Sequence, residues 1–382
     1  DIIGISDSKD SIWSKGDFDS DNYSSALREY FQNSVDAFKK NNKGHERIVF
    51  KVSRDNLEYD FFDFNELSKQ LNYCIETLRV NATGDDDTAI SRYKKISKLC
   101  KDSSKKKIES IIIEDNGIGL DGDSRLTEGN KTSGWSRITG DDVSDKGHGD
   151  LGSFGMGKST AFSIADYLTV FYFSNFNSNA KFIGYTKLDM TYGIQGQKKK
   201  YGPKSFFGIK TEDEDGLKFA DIADVDQKTK KYRSISGSGL TTIIPVIEFL
   251  KRKDIVDFAD FTAHILFHSF FSFFSQNRFK IEIHDKIVGK KIEIDDENYK
   301  QIIDSLGESK IYKGESNIDF KYDYDLVKTF LLFDPLKDIP NNGVFDINVK
   351  GDWKGKLKIK FFQNVDLEKY SDKNSSRKKV RF

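Results

Sequence analysis

The segment Ile111-Ile112-Ile113-Glu114-Asp115-Asn116-Gly117-Ile118-Gly119 decides the fold, because it joins a buried strand to a turn rich in polar residues and glycine. Three consecutive isoleucines are typical of a short strand that is buried on both faces. A turn of this kind at the end of a strand is common in proteins of every class. It also allows a flat ligand to approach the backbone, because glycine has no side chain to block it. Asp115 would then accept a hydrogen bond from an exocyclic amino group of that ligand.

The composition is that of a chain long enough for two or three domains, with balanced charge. The 382 residues include 61 basic and 61 acidic ones, so no overall field favours nucleic acid or a membrane. Cys74 and Cys100 are the two cysteines, and their spacing fits neither a disulfide framework nor a structural zinc site. Because the N-terminal segment is polar and acidic rather than a signal peptide, we expect a cytoplasmic protein.

The order of helical and strand patterns along the chain predicts an α/β protein. The first helix is predicted to end at about Lys40 and to be capped by Ser24 or Ser25. Its apolar face consists of residues at helical spacing, Leu27, Phe31, Val35 and Phe38. Further helices are predicted at 66–80, 89–100, 158–167 and 255–276, and strands at 48–52, 168–173, 182–188, 205–209 and 240–247. The most apolar stretch, 258–274, is interrupted by polar residues and falls short of the ~20 residues of a membrane span, so we expect no membrane contact.

Three polar side chains, Glu29, Asn33 and Asp36, lie at helical spacing on the first helix, away from its apolar face. Such a stripe is most often the solvated side of an amphipathic helix. A carboxylate and an amide one turn apart can also hold a water molecule and a metal ion together. The stripe therefore becomes a candidate site only in combination with other motifs.

A glycine-rich loop precedes the helix predicted at 158–167. Its sequence is Gly147-His148-Gly149-Asp150-Leu151-Gly152-Ser153-Phe154-Gly155-Met156-Gly157-Lys158-Ser159. Backbone N–H groups at the start of a helix, together with the helix dipole, bind anions, so the loop predicts a phosphate site. Residues 152–159 also match the P-loop pattern G-x-x-x-x-G-K-[ST]. A P-loop follows a buried strand, however, and residues 139–146 are too polar to form one, which disfavours this alternative.

Three other features are less informative. The stretch 238–245 has the pattern of an ordinary strand. His264 and His268 have the spacing of a metal site on a helix, but they lack a third ligand and lie among phenylalanines, which favours a core helix. The basic clusters at 101–107, 198–200 and 377–381 are of a kind that is usually solvated, and nucleic-acid contact stays open as an alternative.

The four segments, in this order, resemble the GHKL superfamily, which includes gyrase, heat-shock chaperones, histidine kinases, MutL and MORC ATPases. The polar stripe resembles the N box, Asp115–Gly119 the first glycine box, Gly147–Lys158 the second, and Gly239–Thr242 the threonine-bearing strand. The resemblance covers about residues 24–247 and implies a two-layer α/β sandwich, the Bergerat ATP-binding fold, with a mixed sheet and helices on one face. The second glycine box is most similar to those of chaperone-like or MORC-like bacterial ATPases, some of which act in anti-phage defence.

The resemblance also implies a role for each motif residue. Glu29 would be the catalytic base that activates water, and Asn33 would bind Mg²⁺ together with the ATP phosphates. Asp115 would accept a hydrogen bond from the adenine amino group. The other residues implied in ATP binding are Asp36, Gly117, Gly119, Gly152, Ser153, Phe154, Gly155, Met156, Gly157, Lys158, Thr241 and Thr242. The usual Gly-Thr pair is Gly239-Leu240-Thr241 here, so the choice between Thr241 and Thr242 stays open.

Two domains are expected. The first, 1–250, would bind ATP, with a lid at about 121–157 and a helical elaboration at about 60–105. The second, 251–382, would be a smaller α+β domain that resembles the transducer domain of gyrase, MutL and MORC proteins. Lys354, Lys373 and Lys378 are candidates for the lysine that such a domain supplies to the γ-phosphate. Because the chain begins without methionine and ends in a strand-like pattern, we expect a fragment of a longer protein.

The implied function is Mg²⁺-dependent ATP hydrolysis that drives a conformational switch. ATP would order the lid, dock the second domain and promote homodimerisation, and hydrolysis would reverse these changes. The resemblance also implies a protein partner from the same operon and a place in a bacterial anti-phage defence or DNA-associated system. The alternatives are an ATP-sensing module without hydrolysis, a P-loop NTPase and a histidine kinase. A histidine kinase needs a phospho-accepting histidine upstream, and residues 1–23 contain none.

Overall fold

The chain forms one large sheet with helices on both faces. The computed structural model describes residues 2–4, 22–40, 47–61, 63–80, 86–102, 107–121, 134–139, 157–188, 192–193, 200–201, 204–207, 209–210, 217–218, 220–221, 231–252, 255–274, 278–306, 344–348 and 354–358. The helices are α1 (Asn22–Lys40), α2 (Phe64–Val80), α3 (Asp86–Cys100), α4 (Gly134–Thr139), α5 (Gly157–Ile164), α6 (Phe249–Arg252), α7 (Phe258–Phe274) and α8 (Tyr299–Leu306). The strands are β1 (Ile2–Gly4), β2 (Ile48–Glu58), β3 (Lys107–Asp115), β4 (Thr169–Phe176), β5 (Asn179–Lys187), β6 (Tyr192–Gly193), β7 (Lys200–Tyr201), β8 (Lys204–Phe207), β9 (Ile209–Lys210), β10 (Leu217–Lys218), β11 (Ala220–Asp221), β12 (Gly239–Pro245), β13 (Phe279–Asp285), β14 (Lys290–Asp295), β15 (Val344–Asn348) and β16 (Lys354–Lys358).

The large sheet contains ten strands within these ranges. Their order is β1-β8-β5-β4-β12-β3-β2-β13-β14, and β11 pairs with β5. Neighbouring strands are antiparallel except β2 and β13, which are parallel, so the sheet is mixed. In the centre, β12 lies beside β3 with Thr242 opposite Ile113. The predicted α/β class with a mixed sheet is confirmed.

One face of the sheet is covered by α1, α5, α7 and α8, which share the larger hydrophobic core. The apolar face predicted for α1 is buried there, with Leu27 and Phe31 completely inaccessible to solvent. Phe31 packs edge-on against Phe50 of β2, with ring centroids 5.0 Å apart. The hydroxyls of Tyr23 and Thr262 lie 2.8 Å apart and connect α1 to α7. These contacts fix α1 along the sheet, so that the position of its polar side chains is determined by the core.

The opposite face of the sheet is covered by the α2–α3 pair, which belongs to a second hydrophobic core. This core joins residues of both helices, such as Leu71 and Ile96, to Ile112 of β3 and Ile243 of β12. The hydroxyls of Ser68 and Ser97 lie 2.8 Å apart between the two helices. The elaboration predicted at about 60–105 is thus a helical hairpin, and it adds a layer that a sandwich with helices on one face lacks.

The residues that follow the predicted domain boundary at 250 continue the same sheet. β13 pairs with β2, and α7 packs in the core that contains α1. A buried ion-pair network also crosses the boundary, because Arg54 of β2 contacts both Glu109, at 2.8 Å, and Asp285, at 2.9 Å. Residues 255–306 therefore share the core of the first domain. The second domain stays a prediction for residues further along the chain, where the structure describes the β15–β16 pair.

Helix α7 is the segment with the highest apolar content. No helix in the described ranges is long and apolar enough to cross a membrane. His264 lies on α7 and is buried, as expected for a core helix, whereas the side chain of His268 lies outside the described residues. The α7 sequence is apolar because the helix packs between α1, β13 and α8.

Candidate functional site

Asp115, the last residue of β3, is a buried carboxylate held on three sides. Its side chain is only 7% exposed. Oδ1 accepts hydrogen bonds from the backbone N–H groups of Gly117, at 2.8 Å, and Leu240, at 3.2 Å. Oδ2 accepts a hydrogen bond from Ser34 Oγ of α1 at 2.9 Å. Because a carboxylate oxygen accepts two hydrogen bonds readily, Oδ2 has the capacity for one more.

The surroundings of Asp115 shift the pKa of its carboxyl group in opposite directions. Burial raises the pKa of the carboxyl group above its usual value of 3.8, and this is the largest influence. The hydrogen bonds from Gly117, Ser34 and Leu240 and the positive charge of Arg233 act against it. Burying a carboxylate costs free energy of folding unless hydrogen-bond donors compensate it. Buried groups with a shifted pKa are frequent at functional sites. Asp115 is therefore a candidate for binding a further hydrogen-bond donor.

Two glycines after Asp115 let the neighbouring backbone come closer than a side chain allows. A Cβ atom on Gly117 would lie 2.7 Å from the Cβ atom of Ala37 on α1. A Cβ atom on Gly119, which has a φ of +79°, would lie 2.4 Å from the carbonyl oxygen of Asn175. The two glycines thus bring the turn against both α1 and the end of β4. This packing role adds to the ligand approach predicted from the sequence.

Gly239, at the start of β12, makes a still closer approach and provides a stability test. It has a φ of +136°, and a Cβ atom there would lie 2.0 Å from the carbonyl oxygen of Asp115. Gly237 has a φ of +81°, but no atom lies within 4 Å of its Cβ position.

Gly237→Ala is expected to cost only the strain of a positive φ, roughly 1–2 kcal/mol. Gly239→Ala adds a backbone clash that no rotamer relieves, so we expect a loss of about 4 kcal/mol in the free energy of unfolding. Chemical denaturation that gave equal losses for the two variants would contradict the close approach at Gly239.

The two carboxylates in the polar stripe of α1 are buried rather than solvated, and Asn33 between them is half-buried. Glu29 is 8% exposed and Asp36 is 9% exposed, which excludes the ordinary solvated helix face for both carboxylates. Asn33 Nδ2 donates a hydrogen bond to Glu29 Oε1 at 3.2 Å. The amide oxygen of Asn33 is consequently on the side turned away from Glu29. The hydroxyl of Ser34 also connects α1 to Asp115 by a hydrogen bond. No sequence motif pointed to Ser34.

The pairing of β12 distinguishes the two candidate threonines. Thr242 lies on the same face of the sheet as Asp115, whereas Thr241 lies on the opposite face, because side chains alternate along a strand. Thr241 Oγ1 accepts a hydrogen bond from Arg233 at 2.9 Å. Thr242 Oγ1 is buried and makes no hydrogen bond of ordinary geometry to a described residue. Of the two, Thr242 therefore lies on the face of the candidate site.

Two tyrosine hydroxyls accompany Thr242 between α1 and the sheet. The Tyr30 hydroxyl interacts with those of Thr242 and Tyr172, and burial raises the pKa of Tyr30 to about 12. The negative charge of Glu29 adds to this increase. Burial also raises the pKa of Tyr172 well above its usual value. Both hydroxyls therefore stay neutral at physiological pH and can donate hydrogen bonds to a ligand or to water.

The loop before β12 supports Asp115 from the opposite face of the sheet. Glu114 accepts hydrogen bonds from the backbone N–H of Ser234, at 2.6 Å, and from its hydroxyl, at 2.9 Å. Arg233 donates to the carbonyl oxygen of Gly237 at 3.2 Å. Burial lowers the pKa of Arg233, and the charges of Asp115 and Glu114 oppose this change. No periodic pattern marks these loop residues, so the sequence did not reveal them.

Asn116 secures the turn after β3 to the neighbouring strand. Its Oδ1 accepts a hydrogen bond from the backbone N–H of Val49 at 2.9 Å. Its Nδ2 donates to the carbonyl oxygen of Arg47 at 3.0 Å. Both polar atoms of the Asn116 side chain are thus hydrogen-bonded to the backbone, whereas the side chain of Asp115 faces α1.

Much of the predicted glycine loop lies outside the described residues. This applies to the predicted phosphate-binding residues Gly152, Ser153, Phe154, Gly155 and Met156. Gly157 and Lys158 form the first turn of α5, where the backbone is described and the side chains are not. The contribution of this loop to the site stays a prediction.

The region predicted as a lid contains a helix, α4, which was not among the helices predicted from the sequence. Trp135 is 2% exposed and belongs to the larger core. Its backbone N–H donates to the carbonyl oxygen of Asp121 at 3.2 Å, which ties the start of α4 to the turn after Gly119. Six residues are too few to show a hydrophobic period, so this helix was not predictable from pattern.

The described residues fit an adenine nucleotide with Mg²⁺. Asp115 Oδ2 and the buried Thr242 Oγ1 both have hydrogen-bonding capacity that the described residues do not use. Mg²⁺ prefers oxygen ligands and usually takes one or two from the protein, with water and phosphate oxygens completing the shell. The amide oxygen of Asn33 suits that role. In the part of the chain that the structure describes, no group of three or more His, Cys, Asp and Glu side chains is arranged to hold a metal ion.

Comparison with known proteins finds similarity at the level of structure. The sequence matches no protein-family model and no curated protein. The 43K ATPase domain of Thermus thermophilus gyrase B, in complex with an aminocoumarin, is 12% identical with a TM-score of 0.34, over 75% of this chain and 50% of that one. The topoisomerase IV ATP binding domain of Francisella tularensis, in complex with a small-molecule inhibitor, is 13% identical with a TM-score of 0.30, over 74% and 52% of the two chains. The chain thus spans about half the length of the solved structures it matches. In its motifs the chain resembles GHKL ATPases, and in structure it is similar to the ATPase domain of gyrase B and the ATP binding domain of topoisomerase IV.

Proposed function

We propose that the chain binds ATP and that Asp115 receives the adenine base. The observation that supports this most directly is the buried carboxylate, which three donors hold in place while Oδ2 can accept one more hydrogen bond. The exocyclic amino group of adenine is such a donor. Gly117 and Gly119 follow immediately, and the absence of side chains there suits a flat base. The order of the four motifs along the chain supports the same proposal.

The hydroxyl of Thr242 takes part in binding the base in this proposal. It is buried on the face of Asp115 and makes no hydrogen bond of ordinary geometry to a described residue. Tyr30 lies beside it and stays neutral. An ordered water between these hydroxyls and the base would use their remaining capacity at little cost, because water-mediated hydrogen bonds are nearly as favourable as direct ones. Thr242 is thus the threonine that we assign to the adenine side.

We further propose that the chain hydrolyses ATP, with Glu29 as the catalytic base. Glu29 orients the attacking water and accepts its proton. Asn33, which is hydrogen-bonded to Glu29, would hold Mg²⁺ through its amide oxygen. The ion, when bound, neutralises charge on the phosphates. The backbone N–H groups of Gly152–Lys158 bind the phosphates at the start of α5, as the helix dipole favours.

Hydrolysis serves a conformational switch in this proposal. Binding of ATP orders the lid and promotes the association of two copies of the chain, and hydrolysis releases them. A cytoplasmic location, a partner from the same operon and a role in anti-phage defence or a DNA-associated system belong to the same proposal. So does a transducer-like role for the part of 251–382 that follows residue 306.

Nucleotide selectivity tests the role of Asp115. Guanine carries a carbonyl oxygen where adenine carries its amino group, so GTP would place an acceptor against the buried carboxylate. We expect ATP to bind at least tenfold more tightly than GTP, a difference of about 1.4 kcal/mol or more. Calorimetric titration of the full chain in the presence of Mg²⁺ measures both affinities. Equal affinities would exclude Asp115 as the group that recognises the base.

A further inference from the structure

The outward face of α3 carries lysines that have no acidic partner among the described residues. Its four exposed lysines are Lys94, Lys95, Lys98 and Lys101, the last in the turn after the helix, and we call them the α3 lysine face. None of the four forms an ion pair or a side-chain hydrogen bond with any residue that the structure describes. The stretch 88–101 contains no acidic residue, and the exposed Thr88 and Ser91 lie among the lysines. The whole chain is neutral, so this face is a local excess of positive charge.

Lysines elsewhere on the described surface behave differently, since many are paired with acidic side chains. Lys280 contacts Glu282 at 2.9 Å and Lys286 contacts Asp55 at 2.8 Å. The other paired lysines include Lys51, Lys69, Lys290 and Lys291. Four adjacent lysines without an acidic partner among the described residues make this face a candidate surface for an anionic ligand.

Stabilisation of the helix itself does not account for the α3 lysine face. Cations near a helix C-terminus interact favourably with the dipole, but the effect is confined to the last turn. Lys98 and Lys101 lie in or after the last turn of α3, which ends at Cys100. Lys94 and Lys95 lie more than one turn before this end, and the dipole gives no reason for their charge. The helix dipole therefore accounts for at most the charges of Lys98 and Lys101.

We propose that the α3 lysine face binds the phosphate backbone of double-stranded nucleic acid. Lys94, Lys98 and Lys101 follow the spacing i, i+4, i+7 and form a stripe roughly 10 Å long on the helix surface. Lysines are flexible point charges that neutralise phosphates without selecting bases. The hydroxyls of Thr88 and Ser91 are further donors of the kind that phosphate contacts use. The binding is consequently insensitive to sequence and strongly dependent on salt.

The neighbouring side chains favour a duplex over the other polyanions. Single strands are usually bound by stacking on exposed aromatic rings, whereas Tyr93, the aromatic residue of α3, is 1% exposed. A membrane-surface helix inserts its apolar face, whereas the apolar face of α3, including Ile96, is buried in the second core. A stable protein partner needs an apolar centre to its interface, and no large apolar side chain is exposed between 91 and 101.

The test compares two triple variants with the same change in charge. Lys94→Gln/Lys98→Gln/Lys101→Gln removes three cations from the α3 lysine face, and glutamine is as good a helix former as lysine. Lys280→Gln/Lys286→Gln/Lys291→Gln removes three paired lysines elsewhere. The probe is a fluorescently labelled DNA duplex of random sequence, titrated with the full chain over a range of salt concentrations.

The α3 variant is expected to bind the duplex at least tenfold more weakly at low salt. The slope of log affinity against log salt should fall in magnitude by about 2.7, or 0.9 for each lost phosphate contact. The paired-lysine variant should bind like the wild type. A Lys94→Arg/Lys98→Arg/Lys101→Arg variant should also retain binding, because it keeps the charges.

Three outcomes would overturn the proposal. One is a wild-type chain that does not bind the duplex at low salt. Another is equal weakening in both glutamine variants, which would indicate diffuse attraction by net charge. The third is binding to phosphatidylserine vesicles or polyglutamate that the duplex cannot displace, which would assign the face to a different partner. Equal melting temperatures for the wild type and the α3 variant confirm that the fold is intact.

Discussion

Asp115→Asn is expected to weaken ATP binding at least tenfold, about 1.4 kcal/mol or more. The orientation of the introduced amide is the reason. Oδ1 of Asp115 accepts two backbone N–H groups, from Gly117 and Leu240. The amide must keep its oxygen at that position, because the reverse orientation would set its NH₂ group against two donors. The NH₂ group then replaces Oδ2, where we propose that the adenine amino group donates, and two donors face each other. Calorimetric titration with ATP and Mg²⁺ measures the effect.

The same substitution is expected to leave the protein at least as stable. Ser34 Oγ lies 2.8 Å from the carbonyl oxygen of Tyr30 and 2.9 Å from Asp115 Oδ2. Its hydroxyl can therefore donate to Tyr30 and accept from the introduced amide, so every polar group keeps a partner. Affinity would be lost without a loss of structure, which separates a binding role of Asp115 from a structural one.

The difference in stability between the Asp115→Asn variant and the wild type is expected to depend on pH. Burial raises the pKa of Asp115 above 3.8 in the folded state. For such a group, the stability contribution is present below the unfolded pKa and is lost as pH rises through the folded pKa. The wild type loses this contribution as pH rises through the folded pKa of Asp115, whereas the asparagine variant does not titrate. The melting temperature of the variant minus that of the wild type should therefore increase as pH rises from ~4.

Asp285→Asn is the matched control. Asp285 is also buried, and its Oδ1 likewise accepts backbone N–H groups, from Ile287 and Val288. Its Oδ2, however, pairs with Arg54 at 2.9 Å. Breaking a buried ion pair of this kind typically costs ~3–5 kcal/mol. This variant should lose stability and keep its ATP affinity, the reverse of Asp115→Asn. If both variants lost affinity in proportion to stability, the adenine role of Asp115 would be wrong.

The elements of the site that were predictable are those with a local signature. The buried face of α1 follows from the helical spacing of Leu27, Phe31 and Val35, and the strand before Asp115 follows from three consecutive isoleucines. The pattern of a helix or a strand is contained in residues that are close together in the sequence. The sequence alone therefore places Glu29 and Asn33 on a helix and Asp115 at the end of a strand. The order of the motifs then predicts that these elements lie together.

The features that were not predictable depend on which residues meet across the sheet. Glu114 and Arg233 are 119 positions apart, and only the pairing of β3 with β12 brings the loop of Arg233 to the back of Asp115. The choice between Thr241 and Thr242 also needs the strand register, because the two side chains lie on opposite faces. Likewise, an amphipathic pattern predicts the helices α2 and α3 but does not say which face of the sheet they cover.

Replacement of Glu29 distinguishes an ATPase from an ATP-sensing module. The proposed base contributes to the positioning of water and the removal of its proton, a contribution of typically ~10²–10⁴-fold in rate. ATP affinity depends in our proposal mainly on Asp115, the glycine loop and Mg²⁺, and Glu29 contributes to it only through its hydrogen bond to Asn33. Glu29→Ala is therefore expected to keep ATP affinity within a few-fold of the wild type and to lower phosphate release by roughly a hundredfold or more. It should also accumulate the ATP-bound state, because closure precedes hydrolysis.

Glu29→Gln makes the test specific for proton transfer. Asn33 Nδ2 donates to Glu29 Oε1, and the oxygen of a glutamine amide can accept the same hydrogen bond. The glutamine variant thus keeps Asn33 in place and removes only the ability to take a proton. If Glu29→Gln is as slow as Glu29→Ala, the carboxylate acts as a base. If Glu29→Gln turns ATP over like the wild type while Glu29→Ala does not, Glu29 acts by orienting Asn33, and the base must be sought elsewhere. A wild-type chain that binds ATP but releases no phosphate, alone or with its protein partners present, would instead make it an ATP sensor, in which Glu29 has no catalytic step to perform.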